Sequence, residues 1–241
     1  NFLAIFVAVG YFLFVAQYLQ LVLGLSPLQA GLWSLPSAFG FILGSQLGPR
    51  VLGNLRPARV IGGGLGLAAV GLAVLTQVDA SGGLPALVTR SVIVSLGLAP
   101  VFGLTTELIV GSAPPEQAGA ASGISETGAE LGGALGIAIM GSIGVAIYRS
   151  QLADQLPTGL PTEVATAARD TLGSAVAAAA QLPTQTGSAV VAAARDAFVA
   201  GMQLSSVIAA VEGGELGAAL RTFREGLRFA TEGGRLSRTT V

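Results

Sequence analysis

The sequence predicts an all-α, polytopic membrane protein with six transmembrane helices, and three observations carry that prediction. Of 241 residues only 12 are Arg and 13 are Asp or Glu; a soluble domain of this length, at the usual charged content of roughly 25%, would hold about 60 charges. Hydrophobic residues make up 52% of the chain, and its mean hydropathy is +0.74. The charges are also uneven, nine in residues 1–148 and sixteen in residues 149–241. An apolar body therefore precedes a wetter C-terminal third.

The elements follow in order from the apolar runs, since a span needs about 20 mostly apolar residues. The first run starts at Phe2, directly after Asn1, with no basic region or cleavage site of a secretory signal. The chain is thus expected to begin inside a larger protein, just ahead of a span. Spans are expected over 2–23, 31–48, 60–77, 87–111, 118–147 and 196–212, so that residues 1–148 hold five helices. The sixth is short because Glu212 ends its apolar run. Pro36 and Pro100 inside spans two and four are points where a helix can bend. Residues 149–195 read as an extracytoplasmic loop with a helix over 162–180, opened by Pro161 and Thr162 with Glu163 in its first turn. Residues 213–241 form a tail with Leu216, Leu220, Phe223 and Leu227 at helical spacing. It reads either as an amphipathic interfacial helix or as an aberrant C-terminus.

The arginines set the expected orientation. The segment from Gly48 to Arg59 carries Arg50, Arg56 and Arg59 and no acid, and positive loops stay cytoplasmic. Alternation then places Asn1 and the tail inside, and the Ser26-Pro27 turn and the 149–195 loop outside. Tyr18 and Trp33 fall near outer span ends, where an aromatic belt belongs.

The chain has no Lys, His or Cys. Disulfides, Cys or His metal ligands, Schiff-base lysines and Ser-His-Asp triads are excluded by that absence, and no metal or cofactor is expected. A net charge of −1 without a basic cluster in the body argues against a nucleic-acid partner. A soluble enzyme is the weakest reading, because the acids are sparse and several lie in spans.

Those intramembrane acids are Glu107, Glu126 and Glu130. A carboxylate in the bilayer costs about 2.5–3.5 kcal/mol on insertion scales, so it usually faces a cavity or a partner. Glu126 and Glu130 share one helix face at i and i+4, about 12 and 18 Å in from Ala118. Desolvation and mutual repulsion there favour proton uptake, the property of a proton carrier or cation counter-charge. The bland alternative is that Glu126 reaches the interface or that either acid pairs with an Arg elsewhere. Glu107 lies near the inner end of its span, where snorkelling is easy. Gly128, Gly132 and Gly136 form a ladder nearly opposite the acid pair, and small residues let helices approach closely in lipid. Gln17 and Gln20 in span one are candidate substrate-pathway residues.

Four stretches together resemble the C-terminal half of a fourteen-helix drug:proton antiporter of the major facilitator superfamily, the QacA/EmrB-like branch of multidrug efflux transporters. They are Gln17-Tyr18-Leu19-Gln20 with Gly24 to Gly31; Gly97-Leu98-Ala99-Pro100-Val101-Phe102; Val110 to Glu116; and Ala118 to Thr127 continuing through Glu130 to Gly136. The resemblance covers roughly residues 1–211. It implies one six-helix bundle, the C-terminal one, of a transporter in the cell's inner (plasma) membrane, working by alternating access against an N-terminal half. The implied activity is proton-coupled efflux of amphipathic or cationic small molecules, with Glu130, Glu126 and more weakly Glu107 in proton coupling or cation binding. The implied partners are the lipid bilayer, that N-terminal half, the substrate and protons. Residues 48–59 look like a degenerate form of the family's cytoplasmic gating motif, with Pro49 where an Asp would precede Arg50. The antiporter signature GxxxGPxxGG does not occur in the chain. By itself the half is expected to insert without transporting. A self-assembling channel or scaffold of six helices is the alternative.

Overall fold

The computed structural model describes residues 2–52, 55–75 and 83–236, with side chains described for 2–46, 55–74, 83–211 and 214. Its described residues are all-α, without a strand. Helix α1 (Phe2–Gln17) runs straight into a π-helical turn (Tyr18–Val22). Then come α2 (Pro27–Leu52), α3 (Pro57–Leu75), α4 (Leu84–Gly111) and, after a short 3-10 turn, α5 (Ala118–Ala153). Two short helices, α6 (Thr162–Asp170) and α7 (Leu172–Ala179), precede a long α8 (Thr184–Leu236). Among the described residues, four segments are long and apolar enough to cross a membrane: Phe2–Val22, Pro57–Val74, Leu84–Gly111 and Pro115–Ala153. Helices α2 and α8 occupy the places of the other two expected spans.

Glycine decides how these helices meet. Lipid is as apolar as the side chains, so burial gives little net drive, and close van der Waals contact must hold a bundle together. Along α5, Gly132, Gly136, Met140 and Gly144 recur every fourth residue and face Phe2, Phe6, Gly10 and Phe14 of α1 in the same order. The two helices therefore run parallel. A methyl group on Gly132 would stand 2.5 Å from the Phe2 carbonyl oxygen, and one on Gly136 would run into that of Phe6. At the third member of the expected ladder, Gly128, an added methyl group would meet no other helix within 4 Å.

The same device sets the other crossings. Gly40 and Gly44 of α2 rest on Val92 and Leu96 of α4 in parallel register. Gly64 of α3 and Gly97 of α4 bring their backbones together, and Gly71 meets Val94, an antiparallel register. Gly201 of α8 lies against the Gly144 carbonyl, a methyl there standing 2.8 Å away, while Phe198 packs on Phe14 with ring centroids 6.0 Å apart. Successive long helices thus reverse direction, as membrane spans must.

Several boundaries differ from the expected ones. The Gly48–Arg59 loop is largely helical: α2 continues through Pro49 to Leu52, and α3 opens on Pro57, a residue suited to a first helical turn. The helix expected over 162–180 breaks at Thr171, whose backbone is extended (φ −149°, ψ 161°) and whose hydroxyl accepts from the Ser174 N–H at 3.2 Å, capping α7. The last helix starts at Thr184 rather than Asp196. Its first turn rests on α7 because Gly187 carries no side chain, a methyl there standing 2.6 Å from the Ala179 carbonyl oxygen. The backbone of α8 also continues past Glu212 to Leu236, about 80 Å in all. Side chains of the 213–241 tail, Gly214 apart, lie outside the described residues, as does that of Arg50.

Gly136→Val should force α1 off α5 and destabilise the protein by about 1–3 kcal/mol, whereas Gly128→Ala should be neutral or slightly stabilising. Thermal unfolding of the detergent-solubilised variants checks both, and equal losses at the two positions would contradict this register.

Candidate functional site

Where α2 leans on α4 it stands away from α1, and a cavity of about 430 Å³ opens among the three helices. This is within the roughly 300–1,000 Å³ range of small-molecule sites. Phe12, Trp33 and Phe41 bring aromatic surface to its lining, and Ser34, Ser37, Ser91 and Ser95 bring hydroxyls. None of the lining residues is charged. Helix α1 supplies Phe12, Val15 and Leu19, the last within the π-helical turn.

Two long-range polar contacts tie the walls together. The Tyr11 hydroxyl and Ser91 Oγ, both buried, lie 2.6 Å apart and join α1 to α4. At the end of α1, Arg195 Nε of α8 donates to the Leu21 carbonyl at 3.1 Å. A π-turn widens the helix and disturbs its regular bonding, and Arg195 serves one carbonyl of this turn. Gly24, at φ +68°, then turns the chain into α2, a conformation that favours glycine.

The helices α6 and α7 cover that end of the bundle. Their Ala168, Leu172, Ala175 and Ala179 join the core that includes Tyr18, Leu19 and Leu152. The Tyr148 hydroxyl donates to the Ala168 carbonyl at 2.6 Å. Arg149 and Asp170 form an ion pair at 2.8 Å with both side chains more than half exposed.

The residues singled out from sequence are distributed differently. Glu126 and Glu130 are exposed on α5, on the side turned away from the buried Gly132 and Gly136. They lie outside the cavity lining, as does Glu107, exposed near the end of α4. Gln17 and Gln20 do not line the cavity either; Gln20 is exposed and donates back to the Ala16 carbonyl at 3.3 Å. Arg56 and Arg59 are exposed at the turn into α3. Among the described residues no group of three or more His, Cys, Asp or Glu is placed to hold a metal ion. The cavity hydroxyls went unmarked in the sequence reading, although Ser91 and Ser95, one turn apart in an apolar span, were a legible signal.

Comparison with known proteins places this architecture. Residues 1–137, which include every cavity wall and all three acids, match the profile of the Major Facilitator Superfamily. The chain belongs to that superfamily. It is 37% identical over 211 residues to the multidrug efflux pump LfrA of Mycolicibacterium smegmatis, an alignment covering 88% of this chain and 42% of that protein. It is 34% identical over 149 residues to the tetracenomycin C resistance and export protein of Streptomyces glaucescens, covering 62% of the chain and 27% of that protein. It is also 34% identical over 189 residues to the methyl viologen resistance protein SmvA of Salmonella typhimurium, covering 72% and 34%. The chain therefore spans less than half the length of these relatives. As a facilitator-superfamily chain it is a multi-pass membrane protein.

The polar contacts at the α6–α7 end should differ in worth. Tyr148→Phe removes the donor to a buried carbonyl and should cost about 1–2 kcal/mol. Arg149→Ala breaks a solvent-screened pair and should cost under about 1 kcal/mol. Chemical unfolding of the two variants side by side gives the comparison, and an Arg149 effect larger than the Tyr148 effect would contradict it.

Proposed function

We propose that this chain is the C-terminal six-helix half of a fourteen-helix, QacA/EmrB-like antiporter that exports amphipathic or cationic small molecules from the cell in exchange for protons. The observation that carries the reading is an uncharged, aromatic and hydroxyl-lined cavity in a chain most of whose length aligns with a multidrug efflux pump. An apolar, roomy lining with few polar groups takes amphipathic molecules of varied outline. Its walls come from separate helices, α2 held on α4 and α1 held on α5, so they can move relative to one another as alternating access requires.

Proton coupling is assigned to Glu130 and Glu126, with Glu107 in a lesser role. Both acids sit on one face of α5, opposite the face packed on α1. A carboxylate at membrane depth is costly unless it meets a partner, water or a proton. With no His, Lys or Cys in the chain, a proton carried on an acidic or basic side chain of this half rides on a carboxylate. Arg56 and Arg59, with Arg50, mark the cytoplasmic side in this reading. The α6–α7 pair then covers the outer end, and the protein resides in the plasma membrane with both ends of this segment inside. The substrate path runs between two halves, so this half alone inserts without transporting.

The test is efflux of ethidium by the full-length gene product in vesicles under an imposed proton gradient. Glu130→Gln should reduce gradient-driven efflux at least about tenfold while leaving protein level and thermal stability unchanged, as expected for an exposed group. Undiminished efflux by the variant would sink the coupling role.

A further inference from the structure

We propose that the cavity between α1, α2 and α4 prefers planar aromatic molecules bearing a carbonyl oxygen over those without one, and that Tyr11 sets this preference by holding the Ser91 hydroxyl as a donor. The inference rests on the transport reading in that it names a class of molecule for the same cavity.

The argument starts from hydrogen counting. Tyr11 is 3% exposed and Ser91 4%, and their oxygens lie 2.6 Å apart. A buried phenol hydrogen without an acceptor carries a desolvation cost, so buried hydroxyls are paired. Ser91 Oγ is the acceptor Tyr11 has; were Ser91 the donor instead, the phenol hydrogen would be stranded in apolar packing. Tyr11 therefore donates, and Ser91 keeps its own hydrogen.

Other hydroxyls in these helices turn back on the carbonyl four residues earlier. Ser34 donates to Ala30, Thr89 to Pro85 and Thr105 to Val101, at 2.7–2.8 Å. Ser91 makes no such bond to Leu87 among the described residues, and its side chain lines the cavity. Its hydrogen is left for whatever occupies that space. Ser95, 1% exposed and one turn further along α4, about 6 Å away, adds a second hydroxyl to the same lining.

The rest of the lining defines the rest of the molecule. Phe12, Trp33 and Phe41 offer flat apolar surfaces suited to an aromatic ring. A carbonyl oxygen accepts a hydrogen bond without adding charge.

Fluorenone and fluorene share one planar ring system and differ by the carbonyl, so their binding ratio isolates this contact. Equilibrium dialysis with the full-length gene product in lipid nanodiscs should show fluorenone binding about fivefold tighter than fluorene, the worth of one neutral hydrogen bond. Tyr11→Phe, which removes the hydroxyl alone, frees Ser91 to turn back on Leu87. That variant should bring the ratio below about twofold while leaving fluorene binding unchanged, which a merely structural role would not do. Ser91→Ala removes the donor itself, should likewise bring the ratio below about twofold, and decides the matter if Tyr11→Phe does not fold. Equal affinities in the unmodified protein, or a ratio that survives both substitutions, overturns the proposal. Ethidium efflux by the same protein in vesicles under a proton gradient separates the two readings: a carbonyl preference without efflux removes transport alone, and efflux without the preference removes this inference alone.

Discussion

The bundle depends on the approach of α1 to α5 at Gly132 and Gly136, where the α1 backbone lies so close that a single methyl group would collide with it. In lipid, helices gain little by hiding apolar side chains from one another, so contact at backbone distance supplies the attraction. The four-residue repeat matters as much as the glycines. It matches Phe2, Phe6, Gly10 and Phe14 against Gly132, Gly136, Met140 and Gly144, and it orients α1 over its whole length. That orientation aims Tyr11 at Ser91 and presents Phe12 and Val15 to the cavity.

The cavity is a consequence of two such seams. One holds α1 on α5; the other holds α2 on α4 through Gly40 and Gly44. Between them α1 and α2 diverge, and the space is lined rather than filled because their facing residues are flat aromatics and small serines. The Tyr11–Ser91 contact spans the divergence. It is the kind of paired, buried polar bond that specifies one arrangement of helices, since breaking it strands the buried Tyr11 hydroxyl. At the π-turn the Arg195 contact with the Leu21 carbonyl plays the matching part, tying α8 to the end of the same wall.

The acids stand apart from this cavity. Glu126 and Glu130 occupy the face of α5 that the seam with α1 leaves open, while the cavity lining carries no charge. Within this chain the cavity lining comes from α1, α2 and α4, whereas the acid pair proposed to hold protons is on α5. In the proposed transporter, coupling between them would pass through the α1–α5 seam, because α1 is shared by both.

Much was written in the residues themselves. Long apolar runs and scarce charge required membrane helices, since only helices or closed barrels satisfy backbone groups in hydrocarbon. The i, i+4 spacing put Glu126 and Glu130 on one face and Gly132 and Gly136 on the other, a matter of helix geometry alone. Local sequence could not say that Gly128 faces open space, because a glycine's use depends on whether a neighbour reaches that depth. Nor could it say that α8 begins at Thr184, since that turn is held by Gly187 resting on Ala179, eight residues away and in another helix. Ser91 became a candidate donor once Tyr11, eighty positions earlier, was found 2.6 Å from it. Periodicity along one helix fixes which residues share a face; which faces meet, and what space they leave, depends on partners distant in the chain.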